Sequence, residues 1–341
     1  MLLTLQLMDH KRLMTIALNM FFTLIISSCA EHDFMDKTAI NSSIIKGEKV
    51  KKDDIIFGRP VMIALNYEFN KKQSETKARP QIFGVCSGIM LTQQHVLTAA
   101  HCVQNIKSSR VILTTNMYKK LTNEKDVYEI EKAVINKTYI ELKEVEDSKN
   151  IFGPEAESNL HDIAVLKLKS KMTDAKTDFS YFITRDSYSY FLSLSTKNKI
   201  KNNLIKAVAT GYGKQSSLQE PEDTEVQYSK KNGKPKKIRL LGVLKKAELT
   251  FDLLQLKDRI IQYNQKDQAG VCSGDSGGPV FLQREGRPYL QGLAIAVYKK
   301  TSDDPNNIHN ECYSRSMFLN LDYYKAWILE SINSMNSSRN I

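Results

Sequence analysis

The eight residues Cys272-Ser273-Gly274-Asp275-Ser276-Gly277-Gly278-Pro279 constrain this chain more than any other stretch of it. Glycines on both sides of a serine let the backbone bend tightly and approach a substrate carbonyl with no Cβ in the way. In such a bend the amide N–H groups of Gly274 and Ser276 can point together at a developing oxyanion. A Ser-Gly-Gly sequence alone is also compatible with an ordinary turn, so two further segments matter. Leu97-Thr98-Ala99-Ala100-His101-Cys102 sets a histidine after an apolar run and beside a cysteine. His161-Asp162-Ile163-Ala164-Val165-Leu166-Lys167-Leu168 places an aspartate at the mouth of an alternating, strand-like segment.

His101, Asp162 and Ser276 follow the chain order His, Asp, Ser. That is the order of the chymotrypsin triad, in which the serine attacks, the histidine takes its proton and a buried aspartate orients the imidazole. On these three motifs the chain resembles the trypsin/chymotrypsin family of serine proteases from about residue 44 to 330. The resemblance implies an all-β fold, a double six-stranded antiparallel β-barrel with a short C-terminal helix. It implies a serine endopeptidase acting on proteins or peptides, with catalytic His101, Asp162 and Ser276, oxyanion donors Gly274 and Ser276, and no cofactor. A Cys/His metal site would call for Cys-x-x-Cys or His-x-x-x-His spacing, which the chain lacks. The competing function is a binding or adhesion protein on the same fold. Such relatives usually lose a triad residue, and this chain keeps all three.

The resemblance also assigns the cysteines. Cys86 and Cys102 lie 16 residues apart, as in the family disulfide that pins the histidine loop. Cys272 and Cys312 match the pair beside the specificity pocket, but their 40-residue spacing is long and implies an insertion around Lys299–Asn310. Two bridges imply an oxidising compartment. The fifth cysteine, Cys29, closes an export-like segment, residues 1–29, in which Asp9-His10-Lys11-Arg12 precedes an apolar run from Leu13 to Ile26. Ile26-Ser27-Ser28-Cys29 resembles a bacterial lipobox, and a lipid on Cys29 would hold the protein at a membrane surface. Ordinary cleavage after Ala30 fits the same small residues.

Residues 30–43 read as a propeptide or linker and 44–341 as the protease domain. Ile44-Ile45-Lys46-Gly47 resembles the family's mature N-terminus, whose new ammonium pairs with the aspartate before the nucleophile, here Asp275. Desolvating that carboxylate is costly without a partner charge. Lys46 replaces a family glycine, and Ser43 stands where a trypsin-like cut needs Arg or Lys. Both departures argue against activation by such a cut, and Ile44-Ile45 can equally begin a first strand.

For specificity, the family pocket has its base six residues before the nucleophile, which falls on uncharged Gly270 and argues against a preference for Arg or Lys. Ile295-Ala296-Val297 replaces the family's Ser-Trp-Gly wall, with Ser316 opposite, and predicts a narrow, elastase-like pocket for small apolar residues. Ile295 also removes a hydroxyl that hydrogen-bonds the catalytic aspartate in the family. The net charge of +11 comes without interleaved aromatics, so it favours anionic surfaces over nucleic acid. Residues 141–159, 214–239 and Lys299–Asn310 read as solvated loops. Strands are expected at Val61–Tyr67, Ile82–Leu91, Val111–Thr115, Ile163–Leu168, Ala207–Thr210, Pro279–Leu282 and Leu290–Val297. A helix is expected near Tyr323–Ile328.

Overall fold

Runs of four to nine β-branched and apolar residues, punctuated by turns, leave few stretches able to sustain a helix. The computed structural model is accordingly built on strands. It describes residues 47–67, 82, 84–103, 105–117, 124–151, 153–177, 187–197, 202–214, 224–228, 235–239, 242–266, 268–284, 287–298, 312 and 314–337. All of them lie in one compact unit, Asn41–Ile341. The export segment with Cys29, the start at Ile44 and the insertion Lys299–Asn310 fall outside the described residues.

The strands are β1 (Glu48–Lys49), β2 (Pro60–Leu65), β3 (Gly84–Met90), β4 (His95–Thr98), β5 (Arg110–Ile112), β6 (Val127–Ile135), β7 (Ala164–Leu168), β8 (Leu204–Gly211), β9 (Thr224–Tyr228), β10 (Pro235–Arg239), β11 (Lys245–Asp252), β12 (Ile260–Asn264), β13 (Pro279–Arg284), β14 (Arg287–Tyr298) and β15 (Arg315–Asn320). Strands β2-β3-β4-β7-β6-β5 close into an antiparallel barrel. Closure removes every free edge and buries Val61, Met62, Ile63, Val96, Leu97, Val111, Val165 and Leu166. The second sheet runs β1-β11-β8-β13-β14-β15-β12 and holds seven strands rather than six, because Glu48–Lys49 adds a short edge to β11. Strands β9 and β10 form a separate hairpin inside the segment expected to be a loop.

A second difference lies just before Asp162. Residues 141–159 were expected to be loop, yet Lys137–Ser148 forms helix α1. Its sequence carries three Glu and two Lys, good helix formers, and Asn136 Oδ1 caps the first turn by accepting the Thr138 N–H at 3.1 Å. Lys137 pairs with Glu141 one turn on, as Lys143 does with Asp147. Acidic composition alone does not distinguish such a helix from a solvated loop.

Helix α2 (Ser187–Thr196) precedes β8, and α3 (Lys325–Ser337) ends the described chain where the helix was expected. Ile328, Ile332 and Met335 of α3 are buried. The buried Lys167 ammonium of β7 donates to the Met335 carbonyl at 2.8 Å near the helix C-terminus, where a cation suits the helix dipole.

Tyr212 joins the two halves. It follows β8 in the second sheet, is fully buried, and donates its hydroxyl to Thr114 O at 2.5 Å, with Pro60 O at 3.2 Å. Both acceptors belong to the first barrel. Burial pushes its phenol well above the ordinary tyrosine range, so it stays a donor. Tyr212→Phe strands a buried carbonyl and should lower stability by about 1–3 kcal/mol. Chemical denaturation followed by fluorescence measures it, and an unchanged midpoint would show that the latch is energetically idle.

Candidate active site

His101 lies in the 3₁₀ turn Ala100–Val103 that follows β4, and the disulfide Cys86–Cys102 ties this turn to β3. Asp162 caps the 3₁₀ turn Glu157–His161 that leads into β7. Because β4 and β7 are paired from His95–Lys167 to Thr98–Ala164, the residues just beyond their ends meet. The Asp162 carboxylate is buried, and each of its oxygens faces His101: Oδ2 lies 2.6 Å from Nδ1, and Oδ1 accepts the His101 backbone N–H at 3.0 Å. This double contact fixes both the position and the ring plane of the imidazole. Burial disfavours the imidazolium, but the Asp162 charge and hydrogen bond outweigh it, so the His101 pKa is raised above the ordinary value.

His161 is the neighbour of Asp162 in sequence. It ends the 3₁₀ turn, and its ring meets Tyr324 edge-on at 6.3 Å. Burial and Arg259 lower its pKa, and it has no part in the His101–Asp162 pair.

Ser276 sits in the turn before β13. Its hydroxyl makes no hydrogen bond to His101 or to any other described residue. The turn around it is held from all sides. Gly274 has φ +96° and Gly277 φ +77°, the region that favours glycine. A Cβ on Gly277 would stand 2.1 Å from Thr98 Oγ1. Gly277 N–H donates to Ala294 O at 2.6 Å and Ser87 N–H to Ser276 O at 2.8 Å. The N–H groups of Gly274 and Ser276, by contrast, have no partner among the described residues.

Ser87 is a residue the motif reading missed. Fully buried on β3, its hydroxyl donates to Gly274 O at 3.0 Å and accepts the Tyr212 N–H at 3.0 Å. It therefore orients the Gly274 peptide from the first barrel. Its place directly after Cys86 was the only available sign.

Asp275 is fully buried beneath this turn. Oδ1 accepts the Gly213 N–H and Oδ2 the Cys272 N–H, both at 2.8 Å. Burial raises its pKa to about 7, against the lowering effect of the two N–H bonds and of Lys245.

Two cavities flank Ser276 and His101. One, of about 200 Å³, is lined by Val271, Cys272, Ser273, Ser276, Ala294, Ala296 and Val297. The disulfide Cys272–Cys312, formed as expected, braces it, with Val297 packed on the bridge. The other, of about 250 Å³, brings His101 and Asp162 together with Ile295, Tyr139 and Lys143 of α1, and Ser158. Of the residues expected around the specificity pocket, Ala296 and Val297 line the first cavity and Ile295 lines the second. Gly270 and Ser316 are buried and line neither, Ser316 standing behind Val297 as its partner on β15.

The reason for Gly270 is Gln265, also unforeseen. A Cβ at 270 would lie 2.1 Å from Gln265 Oε1. The fully buried Gln265 amide accepts the Val271 N–H at 3.1 Å and donates to Val271 O at 2.8 Å and to Cys312 O, which ties the two segments of the second disulfide together.

Compared with known proteins, residues 59–328 match the Trypsin family model. The chain belongs to the trypsin family. It is a serine-type endopeptidase of that family and an all-β, antiparallel trypsin-like fold. Chymase of Rattus norvegicus is 26% identical over 84% of this chain and 93% of its own. Chymotrypsin-like elastase family member 1 of Bos taurus is 22% identical over 89% of this chain and 94% of its own. Vitamin K-dependent protein C of Rattus norvegicus is 24% identical, and there the match spans 61% of this chain and 39% of that protein. The atomic-resolution structure of HBP superposes with a TM-score of 0.50 at 16% identity, over 85% of this chain and 97% of that one.

The His101–Asp162 pair gives a test independent of turnover. In the native protein the imidazole should titrate above about 6.5. Asp162→Asn removes the charge that raises this pKa and leaves burial, which lowers it, so the midpoint should fall below the ordinary value. Imidazole NMR against pH reads both, and an upward or absent shift would refute the pairing.

Proposed function

We propose that His101, Asp162 and Ser276 form the catalytic triad of this endopeptidase. The observation that carries the reading is the doubly bonded His101–Asp162 pair across from a glycine-held serine turn whose two N–H groups, Gly274 and Ser276, are unspent. His101, its Nδ1–H held by Asp162, offers Nε2 as general base to Ser276 Oγ. The hydroxyl attacks the scissile carbonyl, and the oxyanion is received by the N–H groups of Gly274 and Ser276. The imidazolium, stabilised by Asp162, returns its proton to the leaving amine. Water then hydrolyses the acyl-enzyme through the same base. The raised His101 pKa means that the base is fully neutral only above the ordinary imidazole range, so kcat/KM should keep rising to a higher pH than a free histidine would set.

The cavity beside Ser276 supports a preference for small apolar side chains. Its wall residues Ala294, Ala296 and Val297 carry no charge, and Val297 occupies space that a glycine would leave open. Gly270 backed by the Gln265 amide leaves no room for a basal carboxylate. The two disulfides suit an exported protein. Export through residues 1–29, with a lipid on Cys29 as membrane anchor, remains this reading's account of the fifth cysteine.

The direct test is a fluorophosphonate probe on the exported protein. Labelling that disappears in Ser276→Ala supports the triad, whereas labelling that persists, or no labelling of a cut and an uncut chain alike, refutes it. For specificity, peptides ending in Ala or Val before the cleaved bond should be preferred over Phe and Lys. Val297→Gly should raise the relative kcat/KM for Phe by about 10-fold or more. A wild-type preference for Lys would overturn the pocket reading.

A further inference from the structure

A carboxylate with no solvent contact requires compensation, and among the described residues two backbone N–H groups, those of Gly213 and Cys272, donate to Asp275. An ion removed from water is costly to keep charged unless a cation balances it. The family solution is an N-terminal ammonium from a cut before Ile44, yet Ser43 is not the Arg or Lys that a trypsin-like activator takes. A second cation stands close by. Lys245, the first residue of β11, is 1% exposed and pairs in register with Gly211 of β8.

The register locates its side chain. Directly opposed residues of an antiparallel pair put their Cβ atoms on one face, about 4.5–5.5 Å apart. An added Cβ on Gly211 would fall 2.1 Å from Asp275 Oδ1, so the face of β8 and β11 that Lys245 shares is the face against Asp275. Gly211 supplies the space between them. Its neighbour Gly213 does the same beneath, since a Cβ there would fall 2.6 Å from Asp275 N. Lys246, next along β11, points to the other face and pairs with Asp54. The Lys245 charge acts on Asp275 in the expected direction, lowering its pKa against burial.

We propose that Lys245 supplies the buried positive charge that keeps Asp275 ionised, so that the turn carrying Gly274 and Ser276 holds its oxyanion-binding form without an N-terminal cut at Ile44. The proposal rests on the serine-nucleophile reading above. Lys245 is a positioning residue and touches no substrate. In this arrangement the protein is active as a single chain, and a cut before Ile44 adds a second cation to a site already served. The Ser43 departure then has a physical counterpart, because no activating protease is required.

The experiment compares fluorophosphonate labelling rates of Ser276 in two forms of the full chain. One is uncut before Ile44, verified by N-terminal sequencing. The other carries a site-specific protease site placed before Ile44 and is cut there. Wild type should label in both forms at similar rates. Lys245→Met should slow labelling of the uncut form on the order of 10- to 100-fold, Lys245→Arg should retain it, and cutting should restore the Lys245→Met chain because the new ammonium replaces the lost charge. Labelling of wild type only after the cut overturns the proposal and leaves the endopeptidase reading standing. So does equal labelling of uncut wild type and Lys245→Met. A Lys245→Met chain that stays unlabelled after cutting assigns Lys245 a packing role and also overturns it. Labelling of neither wild-type form refutes the endopeptidase reading, and the Lys245 assignment with it.

Discussion

The turn that carries Ser276 depends on a buried carboxylate. Asp275 has no solvent contact, and its two oxygens are met by N–H groups from opposite directions, Gly213 after β8 and Cys272 before the turn. These bonds fold the backbone of residues 272–278 around one side chain, and the Gly278 N–H closes the loop onto Asp275 O at 2.7 Å. The cost of the arrangement is visible in the raised pKa. Two neutral donors do not match the solvation of water, and burial dominates. By linkage, such a group favours the fold fully below the unfolded carboxylate range, and that contribution is lost as pH rises towards about 7. A cation beside Asp275 opposes this tendency by favouring the ionised form, as the Lys245 charge does. The geometry of the Gly274 and Ser276 N–H groups is therefore tied to whatever positive charge reaches this pocket.

The site is assembled across two halves that are far apart in sequence. His101 and Asp162 come from the ends of paired strands in the closed barrel, and Ser276 from a turn of the second sheet. Two buried side chains set the halves in register. The Tyr212 phenol reaches from the second sheet to Thr114 O, and the Ser87 hydroxyl reaches from β3 to Gly274 O. They are also bonded to each other, because Tyr212 N–H donates to Ser87 Oγ. Seating of the Gly274–Ser276 turn and packing of the two halves thus share one hydrogen-bond chain, which explains why Ser87 and Tyr212 are wholly buried and hydrogen-bonded.

The parts of this site that were legible in the sequence are those whose chemistry is local. A serine between glycines, a histidine before a cysteine and an aspartate at a strand mouth each carry their signal within eight residues, and both disulfides join the cysteines expected of them. Strands with strong apolar runs, such as β2 and β7, were equally plain. Helix α1 was not, because its charged face resembles a solvated loop until Asn136 is recognised as a cap. Ser87, Gln265 and Lys245 were invisible for a different reason. Ser87 and Gln265 bond residues far along the chain, Gly274 and Cys312, the Lys245 charge acts on Asp275 30 positions on, and apart from Cys86 beside Ser87 their neighbours in sequence announce no buried polar partner.

Ile295 shows how one substitution redistributes an electrostatic load. With no hydroxyl at this position, both Asp162 oxygens are committed to His101, one to its ring and one to its backbone. The aliphatic Ile295 lines the same cavity as the pair and offers the carboxylate no donor. The consequence falls on His101, whose imidazolium is stabilised against its own burial. A base with a higher pKa is the stronger proton acceptor but is neutral over a narrower range of pH. Apolar surroundings work the other way and disfavour the imidazolium, so the raised pKa of His101 is owed to the Asp162 charge and its hydrogen bond.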